Sequence, residues 1–295
     1  MVTGLQLIEK EINSTICDQL DKVGLLYRIF SRTKDVKSIQ EKIERKELEQ
    51  TPYSPAGKKM QDIIGIRIVT YFQDDIELVK KILSKKFKFI DEEIDKHNLT
   101  EFKPKRTNVI CEFDKKSNDI FIETKSSGKI EYLEISDKTF ELQLRTILSE
   151  GWHEIDHSLR YKCKDDWKNH YEKERMLNGI FASLEVNDIA LKSLFNELSY
   201  QHFRTKNWEA MLRNKFRLKF QISPLREEIK TILDNDNSIA KAILKLERLK
   251  ILSKIADSEL SVPINFNNLI YIINQFELKN EDINKLTPSL IKNYS

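Results

Sequence analysis

The stretch DIIGIRIVTYF, residues 62–72, is apolar enough for a buried strand, yet Asp62 opens it and Arg67 interrupts it. Burying an unpaired charge costs on the order of several kcal/mol, so these two residues either sit at a sheet edge or do chemistry. A second strand-like stretch, FELQLRT at 140–146, alternates Glu141 and Gln143 with Leu142 and Leu144, so both polar side chains leave one face. Arg145 is expected on the other face. If the two strands are neighbours, Asp62 and Glu141 converge at a sheet end. Such carboxylates are hard oxygen ligands that suit Mg2+, and that ion bridges phosphate oxygens while a phosphoryl group moves to a hydroxyl.

Cations for those phosphates are close in sequence. SRTKDVKSIQEKI, residues 31–43, gathers Arg32, Lys34, Lys37 and Lys42 at the expected join of two helices, where Ser38 and a helix N-terminus add donors. The same cluster also reads as a solvated basic helix face. WHEIDHSLRYK, residues 152–162, spaces His153, Asp156, His157 and Arg160 along one helical face. It matches H-E-x-x-H literally, but His170 and His202 stand at spacings unsuited to a third zinc ligand and no Gly-rich continuation follows.

The elements that must position these residues follow from periodicity. Leu5, Ile8, Ile12, Ile16 and Leu20 recur at helical spacing, and VKSIQEKIERKELEQ reads as a second helix ending before the turn TPYSPAG. The pattern then predicts strands over 62–72, 86–94, 107–114, 118–124, 129–135 and 138–146, with a helix near 74–85. From Thr146 onward it is helical again, including a long helix over 170–200. The fold class is therefore α/β, a mixed sheet flanked by helices, and a soft boundary near 204 divides a domain at 1–203 from a helical region at 204–295.

Composition bounds the rest. Of 295 residues, 40% are hydrophobic and 33% charged, which excludes a disordered chain. A formal net charge of +3 is nearly neutral for this size and says little about the whole molecule's partners, so local clusters matter more. No apolar run approaches the roughly 20 residues of a membrane span, and the N-terminus lacks signal-peptide character, so a cytoplasmic location is expected. Cys17, Cys111 and Cys163 have no C-x-x-C spacing and imply neither zinc nor a disulfide framework.

The ordered series SRTKDVKSIQEKI, DIIGIRIV, FELQLRT and WHEIDHSLRYK resembles the RelA/SpoT synthetases, the pyrophosphokinases that make ppGpp and pppGpp, over about residues 5–200. The resemblance implies a nucleotidyltransferase-like fold in which Arg32, Lys34 and Lys42 grip ATP phosphates, Asp62 binds magnesium and Arg67 faces the nucleotide. It further implies that Glu141 binds the metal or takes the proton of the acceptor's 3′-hydroxyl, with Gln143, Arg145 and His153 in the same site.

One family feature is missing. Where a guanine-stacking Asn-Gly-Tyr-x-Ser-x-His segment is expected, this chain has EFKPKRTNVICEFDK; Lys103, Lys105 and Asn108 resemble its start, but Val109 and Ile110 replace Gly-Tyr. Phe102 or Tyr132 is a substitute platform, or a core residue. The acceptor is therefore GDP or GTP by resemblance, or an adenine nucleotide or a tRNA 3′ end as in toxin-like branches; a non-catalytic nucleotide-binding module is the competing class. Basic residues from Arg204 to Lys219 interleave with Trp208, Phe216 and Phe220, either as a tRNA contact or as a helix with an aromatic core side. The later helices offer surfaces for a homo-oligomer or a regulatory protein partner.

Overall fold

The structure, a computed structural model, describes residues 4–94, 107–128 and 130–293. In chain order it runs α1 (Gly4–Lys22), β1 (Tyr27–Thr33), α2 (Val36–Leu48), β2 (Ile64–Thr70), α3 (Asp74–Leu83), β3 (Phe89–Ile94), β4 (Thr107–Glu112), α4 (Lys115–Ser127), α5 (Glu131–Glu134), β5 (Thr139–Thr146), α6 (Ile147–Ile155) and α7 (Tyr171–Arg204). A π-helical turn, Asp156–Tyr161, continues α6. Beyond α7 come α8 (Trp208–Phe216), α9 (Glu227–Asn235), α10 (Asn237–Lys245), α11 (Arg248–Asp257), α12 (Phe266–Ile273), α13 (Glu281–Leu286) and α14 (Ser289–Lys292). Among the described residues no helix is long and apolar enough to cross a membrane.

The chain forms two compact units. The first holds the residues up to Cys17, Tyr27–Tyr71 and Leu83–Val186; the second holds Asp18–Leu26, Phe72–Ile82 and the residues from Asn187 onward.

In the first unit the five strands order as β1-β2-β5-β4-β3, a mixed sheet. The central pair β2 and β5 is parallel, with Gly65 opposite Glu141 and Arg67 opposite Gln143. The flanking pairs are antiparallel: Arg32 faces Gly65 and Phe30 faces Arg67 from β1, while Asn108 faces Gln143 and Ile110 faces Glu141 from β4. Period-two alternation then sorts the side chains. Ile64, Ile66, Ile68, Leu142, Leu144, Val109 and Cys111 occupy one face and are buried to 2% exposure or less. Burial of such side chains stabilises the fold by about 1.5–3 kcal/mol each.

α1 and α4 lie on this apolar side. Ser31 on β1 donates to Glu9 Oε1 at 2.8 Å and accepts from Asn13 Nδ2 at 2.9 Å. Lys116 of α4 pairs with Glu11 at 2.6 Å. The opposite face carries Arg32, Phe30, Gly65, Arg67, Glu141, Gln143 and Asn108, so the polar residues that break the apolar strands share one surface.

Several expectations need correction. β1 was expected as helix, because the apolar spacing of α1 runs on into it; its true period is two, with Arg28, Phe30 and Arg32 exposed between half-buried neighbours. Arg32 therefore stands on a strand, not at a helix join. The strands expected at 118–124 and 129–135 are α4 and α5. Asp114 decides the first case by accepting from Ser117 N at 2.8 Å, an N-cap that starts a helix. Arg145 lies in a regular strand whose register with β2 is unbroken from Gly65 to Thr70. Odd numbering thus puts it on the side of Glu141 and Gln143, not on the opposite one.

The second unit is helical. Phe72 meets the Phe195 ring edge-on at 5.3 Å, and the Arg217 guanidinium lies 4.6 Å from the Phe72 ring centre. Arg217 also pairs with Asp74 at 2.6 Å, and Arg248 pairs with Asp75 and donates to Phe216 O at 2.6 Å. Asp75 is fully buried; burial pushes its carboxyl up, against the opposing pull of Arg248. Gly24 turns at φ +67, and a side chain there would also meet Ile264 at 3.2 Å. Trp208 and Phe216 are core residues with 3% and 0% exposure, and Phe220 packs on Phe266 at 4.6 Å. Trp208 and Phe216 are thus spent inside this unit, where bases cannot stack on them, while Phe220 is half-buried.

Candidate active site

Asp62 lies just before β2, and two ammonium groups converge on it. Lys34 Nζ donates to Asp62 Oδ2 at 2.5 Å and Lys42 Nζ donates to the same oxygen at 2.6 Å. Lys34 is fixed by the sheet, since its backbone N–H donates to Ile63 O at 2.8 Å and prolongs the β1–β2 ladder. Lys42 comes from α2, whose N-terminus is capped by Asp35. Burial pushes the Asp62 carboxyl up, but the two lysine hydrogen bonds outweigh it and leave the group below its ordinary value. Burial leaves Lys34 below the ordinary lysine range, whereas at Lys42 the pairing with Asp62 overcomes burial and raises it. The other carboxylate oxygen, Asp62 Oδ1, is buried and receives no hydrogen bond.

Ser38, an expected phosphate donor, has its donors committed to the cap: its N–H donates to Asp35 Oδ1 at 2.9 Å and its hydroxyl to Asp35 Oδ2 at 2.8 Å.

Glu141 accepts from two amides. Asn108 Nδ2 donates to Oε1 at 3.1 Å and Gln143 Nε2 donates to Oε2 at 3.0 Å. Gln143 Oε1 in turn accepts from Arg67 Nε at 3.0 Å. Arg67 Nη1 donates to Glu150 Oε1 at 2.7 Å and to Glu154 Oε1, two carboxylates one turn apart on α6. Burial works against the Arg67 charge, but the paired glutamates more than restore it. The guanidinium is therefore fixed on three acceptors.

α6 begins at a capping box between Thr146 and Ser149, so the end of β5 fixes where Glu150 starts its turn. His157 is exposed, stacked on Tyr161 with ring centres 5.8 Å apart. Burial and then Lys162 lower its pKa, Glu154 opposes them, and Arg32 and Arg67 add to the lowering, so His157 feels the same charges as the sheet face.

The structure brings Lys34, Lys42 and Asp62 into one cluster and Arg67, Gln143, Glu141 and Asn108 into one hydrogen-bonded row. Arg32 is exposed on β1 opposite Gly65. Gly65 has open space where a side chain would be, with no described atom within 4 Å of an added Cβ. It forms a bare floor between Arg32 and Glu141.

Other residues fall elsewhere. His153 is buried against the rings of Trp152 and Phe181, at 5.3 and 5.7 Å, and does not share a face with exposed His157. Arg145 is buried and donates to Leu144 O at 3.4 Å. Lys103, Lys105 and Phe102 lie outside the described residues, and Tyr132 sits half-buried on α5. Sequence reasoning missed Glu150, Glu154 and the exposed Phe30; their partner Arg67 is remote in the chain, and only the alternation of β1 pointed to Phe30.

Residues 31–166, which include both polar constellations, match a family model described as the region found in RelA / SpoT proteins. These residues are similar to that region. GTP pyrophosphokinase YjbM of Bacillus subtilis (strain 168) is 33% identical over 138 residues, 45% of this chain and 56% of the relative. The chain thus spans a little over half the length of that curated relative. The crystal structure of small alarmone synthetase 1 from Bacillus subtilis aligns at TM-score 0.45 and 24% identity, over 65% of this chain and 90% of the other. A GTP pyrophosphokinase family protein from Streptococcus pneumoniae aligns at TM-score 0.46 and 21% identity, over 65% and 88%. The matched segment runs from Ser31 on β1 through β5 and α6, and it contains Arg32, Lys34, Lys42, Asp62, Arg67, Glu141 and Glu150.

Proposed function

We propose that this chain is an ATP-dependent pyrophosphokinase that moves the β,γ-pyrophosphate of ATP to the 3′-hydroxyl of a guanine nucleotide, GDP or GTP, giving ppGpp or pppGpp. The observation that carries the reading is the division of labour on one sheet: a carboxylate shared by two lysines at Asp62, and a carboxylate held by two amides at Glu141, both inside the RelA/SpoT region. The name of the curated relative supports the same reaction.

In this reading Lys34, Lys42 and Arg32 bind the triphosphate and offset its charge. Arg67 orients the nucleotide through its fixed guanidinium. Glu141 takes the proton of the 3′-hydroxyl as that oxygen bonds to the β-phosphorus, and the bond from the β-phosphorus to the bridging oxygen of AMP breaks. No covalent enzyme intermediate forms.

Magnesium fits the donor set. Asp62 Oδ1 is a buried anionic oxygen without a hydrogen bond, a form suited to a hard cation. Asp62 and Glu141 would hold the ion. Among the described residues no group of three or more His, Cys, Asp or Glu is placed to hold a metal by itself, so phosphate and water oxygens would complete its shell. When bound, magnesium neutralises phosphate charge.

A second acceptor reading rests on β4. Val109 is buried in the sheet and Ile110 stands directly opposite Glu141, so neither supplies the aromatic platform for guanine. That keeps an adenine nucleotide or a tRNA 3′ end as the second acceptor class, and one experiment separates them from guanine. Purified protein is incubated with magnesium and ATP labelled at the γ-phosphate, alone or with GDP, GTP or tRNA, and the label is followed. Transfer to GDP or GTP that vanishes in Asp62→Ala and Glu141→Ala supports the leading reading; transfer to ATP or tRNA replaces the acceptor. ATP binding without transfer to any acceptor makes the chain a nucleotide-binding module.

A further inference from the structure

The amide of Gln143 has only one workable orientation. Its Oε1 faces Arg67 Nε, which can only donate, and its Nε2 faces Glu141 Oε2, a carboxylate oxygen that accepts. A flipped amide would set oxygen against oxygen at Glu141 and N–H against N–H at Arg67. Asn108, on the other side of Glu141, lacks this fixing: its Nδ2 donates to Glu141, but its Oδ1 is buried and receives no hydrogen bond among the described residues. The rigid link therefore runs from Glu150 and Glu154 through Arg67 and Gln143 to Glu141, across β2 and β5.

We propose that Gln143 is a positioning residue, locked by Arg67 so that its amide N–H holds the Glu141 carboxylate in the orientation that takes a proton. This assigns Gln143 to the base rather than to the acceptor nucleotide, and it rests on the reading of Glu141 as proton acceptor. The groups around Glu141 are Gln143 and Phe140 on its own strand, Gly65 and Arg67 on β2, and Asn108 and Ile110 on β4.

Two variants separate positioning from binding. Gln143→Glu keeps an acceptor for Arg67 but replaces the N–H facing Glu141 with a second carboxylate; Gln143→Met removes both bonds at similar volume. The readouts are ATP affinity by calorimetry, and kcat and acceptor KM for pyrophosphate transfer. Both variants are expected to bind ATP within about twofold of the parent and to lose about tenfold or more of kcat while acceptor KM stays within about twofold.

A rise in acceptor KM with kcat unchanged in both variants overturns the assignment and returns Gln143 to substrate binding. If Gln143→Glu fails to fold, Gln143→Met decides by the same split of kcat from KM. Glu141→Gln is run beside them: if it retains full turnover, the reading of Glu141 fails, independently of Gln143.

Discussion

Lys42 donates to Asp62 through the one carboxylate oxygen that also accepts from Lys34. The sharing keeps Oδ1 apart as a buried acceptor without a donor. It also gives the two lysines unequal standing, because Lys34 is lowered and Lys42 raised by their surroundings. Lys34→Ala and Lys42→Ala are each expected to weaken ATP binding about tenfold or more, since each removes a charge-assisted contact worth about 1.5–3 kcal/mol. Titration calorimetry with a non-hydrolysable ATP analogue checks this, and unchanged affinity in both would remove the cluster from the nucleotide site.

The same inequality predicts a pH response. Lys34 sits below the ordinary lysine value of 10.5, so it loses its proton first as the solution becomes alkaline. ATP affinity should fall below pH 10.5 in the parent. In Lys34→Arg, whose charge persists, that alkaline fall should move upward. Identical profiles would assign the limb to another group.

Acid acts on the other member. The folded Asp62 carboxyl lies below its ordinary 3.8, so its pairing contributes stability above that value and loses it as pH falls through the folded pKa. Asp62→Asn should therefore flatten the acid end of a plot of stability against pH below about 4, while leaving the slope between pH 5 and 8 unaltered. Urea unfolding at a series of pH values tests it.

Arg67→Lys keeps a charge but cannot reproduce the fork of bonds to Gln143, Glu150 and Glu154. Turnover is expected to fall about tenfold or more, with the melting temperature lowered by only a few degrees, because the partners are partly exposed. A variant as active as the parent would show that charge alone suffices at this position.

In the second unit Arg248→Ala leaves Asp75 buried without its counter-charge. Breaking such a pair costs about 3–5 kcal/mol. Chemical denaturation should register that loss, and Asp75→Asn combined with Arg248→Met should recover part of it. Equal stability of single and double variants would mean that the pair is not coupled.

Much of this arrangement was legible in the chain. Asp62, Arg67 and Glu141 announced themselves as charges inside apolar strands, and β2, β5, α2 and α3 followed from apolar period alone. β1 was hidden because its alternation is carried by half-buried residues at a sheet edge, directly after a helix with strong apolar spacing. α4 was mistaken for strand because Ile120, Phe121 and Ile122 read as an apolar run, while the Asp114 cap that starts the helix depends on a single side chain. Glu150 and Glu154 carry no local signal, since their role comes from Arg67, 83 residues before Glu150. The position of Arg145 was a matter of parity, available by counting along β5.

Gly65 remains the quiet member of the sheet face. Its backbone is not in the left-handed region, and a side chain would strike no described atom. Among the described residues nothing asks for glycine there, and alanine would strengthen the strand by about 0.5–1 kcal/mol relative to it. The chain forgoes that stability at the strand position between Arg32 and Glu141. Position 65 thus sets how closely a ligand lying there could approach the sheet.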